Sequence, residues 1–471
     1  MGDLMNLRIL RNLAKSDRWQ IIYNRAKELG TIKLFDNDSD LTKAQILFLY
    51  YLELYSSLYR DLASHEPYIS EAVIDDEIRC YDEKTEILTD QGWKYFKDLD
   101  RTEKVATLNP ENDIIKYQKP IKYIDYSYNG EMFKLKTKQF DLVTTPNHSH
   151  FVGINVDKKL RWTFKKSFEI FNNFWLVFKN TGLWKGQYQR YFTLDSVTKK
   201  LLVPNRWYKN LWFKFDKKTN FIKIKMEDWL EFLGWYLSEG SYSCPSKGNY
   251  RLRIAQSKRA NPKKYIIIYN LLTRLPWKFQ SYDKEFCLAS KQLYKYLKQF
   301  GKARDKFVPK FIKNLNPQMI RIFLNSYKLG DGCKKSKNSF YIDTSSVRMK
   351  DDLMELGIKA GFCVHSCKNK RYNTWSITFL KKYKNYWKIK GKKAQWIKYK
   401  GRVYDILVPK YHILLVRRNG KVIWSGNCDA YIFWRSKQKY KEEKEKSNKS
   451  RKGRKVDTKT NIPHMVFHRK K

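Results

Sequence analysis

The feature that most constrains this chain is an amphipathic helix that breaks off in mid-pattern at Arg79. In EAVIDDEIR, Ile74 and Ile78 recur at helical spacing, and no glycine or proline closes the run. From Cys80 the text becomes turn-rich and strand-like, CYDEKTEILTDQGWKYFKDL. With 80–427 left out, EAVIDDEIR runs on into CDAYIFWRSKQK. Ala430 and Phe433 then continue the apolar face of Ile74 and Ile78. The pattern predicts a helical protein interrupted by an insertion from Cys80 to Asn427. Such an insertion must hold its own two ends close together.

The charge divides at the same places. The chain of 471 residues carries a formal +49, of which 1–79 hold −3, 428–471 hold +10 and 80–427 the remaining +42. An excess of that size on one segment points to a polyanionic partner, most often nucleic acid. Hydrophobic residues at 42% suffice for real cores, which excludes a mainly disordered chain. No apolar run is long enough to cross a membrane, and the opening MGDLMNLRIL reads as no signal peptide. Seven irregularly spaced cysteines form neither a disulfide framework nor a zinc motif. A reducing, cytoplasmic setting is expected. The stretch ILFLYYLELYSSLYRDL predicts a second host helix, and the Lys/Glu/Ser-rich tail after Ser436 predicts disorder.

The residues at the two boundaries carry a specific chemistry. The Cys80 thiol can attack the carbonyl of Arg79 and turn an amide into a thioester. The thiol of Cys428 can accept that acyl group, and the Asn427 side-chain amide can cyclise on its own carbonyl and cut the chain. Four ordered motifs accompany these residues: CYDEKTEILTDQG, LVTTPNHSHFVG, GRVYDILVPKYHILLV and VIWSGN before Cys428. Together they resemble an intein, a self-splicing insertion of the Hint fold, over the whole of 80–427. The resemblance implies that Cys80 is the first nucleophile. It implies that Thr145 and His148 polarise the Arg79–Cys80 amide, with His148 protonating the leaving nitrogen. Asp405 would position a nucleophile, His412 would assist Asn427, and Cys428 would take the acyl group. No cofactor is implied for splicing. The sequence departs from the family at Gly426, where a histidine is usual.

An internal repeat lies inside the insertion. LGWYLSEG at 233–240 matches NSYKLGDG at 325–332, pairing Gly234 with Ser326, Ser238 with Gly330 and Glu239 with Asp331. Small residues at i and i+4 let two helix backbones approach closely, which brings the acids together at the helix ends. A carboxylate there opposes the helix dipole, and two of them repel. A divalent cation relieves both, and carboxylates with retained waters suit Mg²⁺. The repeat resembles the LAGLIDADG homing endonucleases, with Glu239 and Asp331 implied as metal ligands. KFVPKFI, beginning at Lys306, resembles a basic block of that family, and LMELGIKAGF at 353–362 a later one. The resemblance implies two α/β repeats, each laying a sheet on double-stranded DNA, with YRLRIAQSKR and RYNTWSITFLKK as basic strands.

The expected architecture is therefore mixed: an all-β Hint splicing domain split by an α/β LAGLIDADG endonuclease of two pseudo-repeats, flanked by α-helical host segments. The expected parts are a host segment 1–79, splicing segments 80–205 and 395–427, an endonuclease 215–390 and a host segment 428–471. Residues 155–225 are open between splicing strands and further DNA contact. Two rival readings stand beside this one: a splicing-defective relic that acts as a basic DNA-binding protein, and a splicing chain with an inactive endonuclease. The host segments name no partner.

Overall fold

A computed structural model describes residues 79–427 except 138–139, 157–158, 172–175, 205–211, 247–248, 382–385 and 389–393. The expected host helices, the basic tail and Cys428 lie outside the described residues.

The chain enters as short, strongly paired strands: β1 (Tyr81–Asp82), β2 (Thr85–Thr89), the long β3 (Lys122–Lys136), β4 (Asp141–Thr144), β5 (Ser149–Val156) and β6 (Val177–Lys179). It then builds a helical layer on two sheets. Helix α1 (Met226–Glu239) leads into β7 (Gly240–Ser243), β8 (Arg251–Ala255) and β9 (Glu285–Ala289). Helix α2 (Pro317–Asp331) leads into β10 (Gly332–Ser336), β11 (Ser339–Thr344), α3 (Val347–Lys359), β12 (Cys363–Asn369) and β13 (Thr374–Leu380). The chain returns through β14 (Ala394–Leu407), β15 (Ile413–Arg418) and β16 (Lys421–Gly426). The order helix, hairpin, helix occurs twice, as the internal repeat predicts.

Strands β1, β14, β3 and β4 close a small barrel. Its residues Tyr81, Phe133, Leu142 and Ile406 form one buried cluster with Phe178 of β6 and Ile423 of β16. The alternating strands place apolar side chains inward at every second position, as a half-buried strand requires. Among the described residues no helix is long and apolar enough to cross a membrane.

The two repeat helices meet as their small residues dictate. A Cβ built on Gly234 would fall 1.9 Å from the Ser326 hydroxyl oxygen, and one on Gly330 would fall 2.1 Å from that of Ser238. Both serines bond back into their own helices, Ser238 Oγ to the Gly234 carbonyl at 3.0 Å and Ser326 Oγ to that of Phe323 at 2.9 Å. Their hydroxyls are therefore satisfied inside the contact. Around this seam α1 is apolar on nearly every side, with Trp229, Leu233 and Trp235 fully buried. A helix of that pattern belongs at the centre of a core.

The boundaries differ from those expected. The strand Tyr191–Leu194 pairs with Ile222–Lys225 directly ahead of α1, and Gly186 packs on Leu315. The chain has thus joined the helical layer well before 205. Conversely, Tyr386–Lys388 pairs with β6, which returns it to the splicing strands before 395. The ribbon Thr198–Pro204 with Trp212–Lys218 forms a separate two-stranded sheet. Composition could not reveal these crossings, because Lys and aromatics are equally frequent on both sides.

The two halves are also knitted together. Strand β12 pairs with β16 at His365 and Lys421, so one sheet of ten strands runs through both. A single apolar cluster includes Leu233, Leu324 and Leu353 together with Leu108, Leu415 and Trp424. Arg417 of β15 is buried and pairs with Glu86 of β2 and with Asp351 of α3. Its guanidinium also lies 4.4 Å from the Trp93 ring centroid. Overpacking at the helix seam tests this arrangement. Gly330→Val and Gly234→Val are each expected to destabilise the protein by about 1–3 kcal/mol, read as a lower urea midpoint for unfolding. An unchanged midpoint would contradict the close approach.

Candidate functional site

The amide between Arg79 and Cys80 is held at both of its polar atoms. Cys80 is fully buried, and its backbone N–H donates to Thr145 Oγ1 at 2.9 Å. The Thr145 N–H donates in turn to the Cys80 carbonyl at 3.0 Å. On the other side His148 Nδ1 stands 3.0 Å from the Arg79 carbonyl oxygen. This differs from the expected role, in which His148 serves the leaving nitrogen. The loop Thr145–His148 places the hydroxyl at the nitrogen and the imidazole at the oxygen. Burial drives the His148 pKa down to about 4, with its bond to the Arg79 carbonyl opposing the shift. The ring is thus neutral near pH 7, and Nδ1 can donate only if it carries the single ring proton. Its Nε2 then accepts from Ser425 Oγ, 3.4 Å away. A neutral donor on that oxygen stabilises negative charge that develops there.

Asn427 is fully buried at the other boundary. His412 Nδ1 lies 3.2 Å from Asn427 Oδ1, and Asn427 Nδ2 donates to the Ile406 carbonyl at 3.0 Å. The Asn427 N–H donates to the His412 carbonyl. The turn that delivers His412 is strained, with positive φ of 70° at Tyr411 and 49° at His412. Two such non-glycine residues cost on the order of 1–3 kcal/mol each. Buried Asp405 lies on β14 one step beyond the Tyr81–Tyr404 pair and accepts from the Ile406 N–H at 2.8 Å. The same strand carries Asp405 and, one residue on, the Ile406 carbonyl that meets Asn427.

Several residues here escaped the sequence reading. Tyr81 donates its hydroxyl to the Gly426 carbonyl, and its ring meets that of His148 edge-on at 4.3 Å. Ser425, His150 and Ser167 are buried polar residues beside the motif histidine. The available signal was their polarity within the apolar runs VIWSG and SHFVG. The departure at Gly426 also has a physical reason. A Cβ there would fall 2.2 Å from the Ser149 carbonyl oxygen and 3.0 Å from the Phe164 ring. This position has no room for the histidine that the sequence resemblance leads one to expect.

At the far end of α1 and α2, Glu239 and Asp331 sit at adjoining helix termini, where a Cβ on Gly330 would lie 3.2 Å from Glu239 Cγ. Burial raises the Glu239 pKa, with Lys264 and Lys306 opposing. The Asp331 side chain reaches solvent, yet desolvation by its packed surroundings, then the Glu239 charge, pushes it up to about 6. Lys306 is buried between them, and burial lowers its pKa while both acids raise it. Its Nζ donates to the Gly240 carbonyl at 3.0 Å and the Tyr236 carbonyl at 3.4 Å, capping α1. Two adjoining carboxyls whose protonated forms are favoured by desolvation are suited to a divalent cation. Among the described residues no group of three or more His, Cys, Asp or Glu forms a metal cluster. A cation held here would take its other ligands from water or phosphate.

The sheet β7–β9 carries a groove of about 580 Å³ lined by Arg251, Arg253, Lys278 and Glu285. Its basic lining suits a phosphate backbone.

No family model matches the chain. The ATP-dependent Clp protease proteolytic subunit of Chlamydomonas moewusii is 28% identical over 316 residues, covering 63% of this chain and 29% of that protein. A DNA-directed RNA polymerase subunit beta C-terminal section of Stigeoclonium helveticum is 23% identical, covering 75% and 37%. The ribonucleoside-diphosphate reductase subunit beta of Aquifex aeolicus is 23% identical, covering 75% and 51%. The chain thus spans about half or less of the length of these curated relatives. Among solved structures, I-DmoI in complex with DNA and Mn aligns at 17% identity and a TM-score of 0.26, covering 33% of this chain and 89% of that one. A bacterial intein-like domain from Clostridium thermocellum aligns at 15% and a TM-score of 0.15, covering 19% and 78%. Overlaps this shallow are similarities only and decide nothing about mechanism.

Two outcomes follow from the geometry. Gly426→His is expected to lower the urea midpoint for unfolding, because the new side chain displaces the Ser149 backbone. An unchanged midpoint would refute the packing account. Divalent-cation binding at Glu239 and Asp331 is expected to weaken as pH falls through about 6, since Asp331 takes up a proton there. Titration calorimetry of the full chain with Mg²⁺ at pH 5 and pH 8 measures this, and equal affinities would contradict it.

Proposed function

We propose that residues 80–427 are a self-splicing intein carrying a homing endonuclease, set within a host protein made of 1–79 and 428–471. The observation that carries the reading is the meeting of the two boundaries: Tyr81 bonds to Gly426 while Thr145 and His148 bracket the Arg79–Cys80 amide. The Cys80 sulfur attacks the Arg79 carbonyl carbon, the C–N bond breaks, and the thiol proton ends on the freed Cys80 amine. His148 supports charge on the carbonyl oxygen, and the Thr145 hydroxyl fixes the nitrogen. The Cys428 sulfur then displaces Cys80 from the thioester. Asn427 Nδ2 attacks its own carbonyl carbon, a succinimide forms, and the bond to Cys428 breaks. His412 polarises the Asn427 side chain for that step, and Asp405 positions a nucleophile. The Cys428 amine finally attacks the thioester, which leaves an ordinary peptide bond. No cofactor enters these steps, and a reducing cytoplasm would keep both thiols free.

The second activity is hydrolysis of double-stranded DNA. Glu239 and Asp331 would hold Mg²⁺, which activates water and stabilises charge at a phosphodiester when bound. Lys306 adds a positive charge beside them, and the basic groove of β7–β9 suits the backbone of the substrate. The relatives support a mobile insertion: a protease subunit, a polymerase section and a reductase subunit share no chemistry, so a segment common to them and this chain belongs to none of their activities.

The test is an intact-mass spectrum of freshly expressed full chain beside Cys80→Ala and Asn427→Ala. The expected products are excised 80–427 and a chain joining Arg79 to Cys428, with both variants unable to form the joined chain. A single unprocessed mass for the wild type would overturn splicing. For the nuclease, duplex DNA encoding the joined host sequence should be cut with Mg²⁺. Asp331→Asn should lose at least about a hundredfold in rate. Failure to cut with any divalent metal would overturn the second activity.

A further inference from the structure

One buried histidine has no part in the steps above. His150 is fully buried on β5, two residues beyond His148, with ring centroids 5.0 Å apart. Its other neighbours include Phe133 at 5.6 Å and Phe178 at 6.1 Å between ring centroids. An aromatic hydrocarbon would fill that space without the cost of burying a polar ring.

The bonds of His150 lead to the scissile amide. Its Nε2 lies 2.9 Å from Ser167 Oγ and 3.3 Å from Thr144 Oγ1. Ser167 Oγ donates to the Thr145 carbonyl at 2.9 Å. A hydroxyl has one proton, so with Ser167 donating to the Thr145 carbonyl it accepts from His150. That assigns the ring proton to Nε2, which agrees with Nδ1 facing a pocket that offers it no hydrogen-bond partner. The next bonds are Thr145 N–H to the Cys80 carbonyl and Cys80 N–H to Thr145 Oγ1. The series is continuous from the imidazole to the nitrogen that must leave.

We infer that His150 is a positioning residue for activation of the Arg79–Cys80 amide: through Ser167 it fixes the Thr145 backbone and so holds the Thr145 hydroxyl on the Cys80 nitrogen. This rests on the splicing reading. It goes beyond it in giving the step a support outside the Thr145–His148 motif, on a separate five-residue helix beginning at Ser167. The bonds of His150 run to Ser167 and on to Thr145, so its effect is expected at the first boundary.

The two boundaries can be measured separately in the full chain. In an Asn427→Ala background, dithiothreitol releases 1–79 from the thioester, which reports the first step. In a Cys80→Ala background, release of 428–471 reports Asn427 cyclisation. His150→Phe keeps the volume and removes the donor, and His150→Gln restores an N–H that can reach Ser167. His150→Phe is expected to slow thiol-dependent release about tenfold, the scale of one positioning hydrogen bond. C-terminal release should be unchanged. His150→Gln should recover most of the lost rate, and Ser167→Ala should repeat the His150→Phe defect. The inference is overturned if both boundaries slow together, if His150→Phe leaves thiol-dependent release intact, or if His150→Gln is no better than His150→Phe. If the parent Asn427→Ala chain releases nothing with thiol, the splicing reading fails first and this inference with it.

Discussion

The pairing of Tyr81 with Tyr404, between a two-residue strand and the long β14, sets the positions of nearly everything at the junction. It is the contact that closes the small barrel, since β1 bonds to β4 on its other side. Through it Cys80 is placed against the Thr145 loop, and β14 carries Asp405 and Ile406 past both boundaries. A strand this short has little pairing energy of its own. It is held by burial: Cys80, Tyr81 and Asp82 are almost wholly excluded from water, and Asp82 accepts from Arg418 at 3.0 Å. An ionic bond inside a barrel wall is strong where water cannot compete for it.

The motif residues were legible because the chemistry proposed for the boundaries needs particular functional groups in a particular order. Cys80, Thr145, His148, His412 and Asn427 are all brought to one end of the barrel, and Glu239, Asp331 and Lys306 to one helix seam. Which atom each group addresses was not legible. His148 contacts the carbonyl oxygen because the backbone of the loop sets its ring direction, and no spacing in the sequence encodes that. The reason for Gly426 was equally hidden, since it lies in the Ser149 carbonyl, a main-chain atom from a strand far away in sequence. The boundaries expected at 205 and 395 rest on composition, a local property, whereas the strands beside them pair with partners elsewhere in the chain.

Desolvation acts at both the junction and the helix seam. At the junction His148 is wholly buried, and desolvation keeps it uncharged. At the seam Glu239 and Asp331 end adjoining helices, and desolvation raises the pKa of each carboxyl.

The strand that ends in Gly426 is sandwiched between β15 and, near its start, β12 from the helical half. Ser366 N–H donates to the Gly420 carbonyl at 2.8 Å, and Gly420 stands so close to the Ser366 backbone that a Cβ would not fit. A chain trimmed of its helical half would therefore uncover part of a sheet edge at the start of this strand, together with Trp424 and Leu415 from the shared core. Bare edges recruit strands from other molecules. Miniaturising this insertion would thus call for a replacement cover as well as a shorter loop.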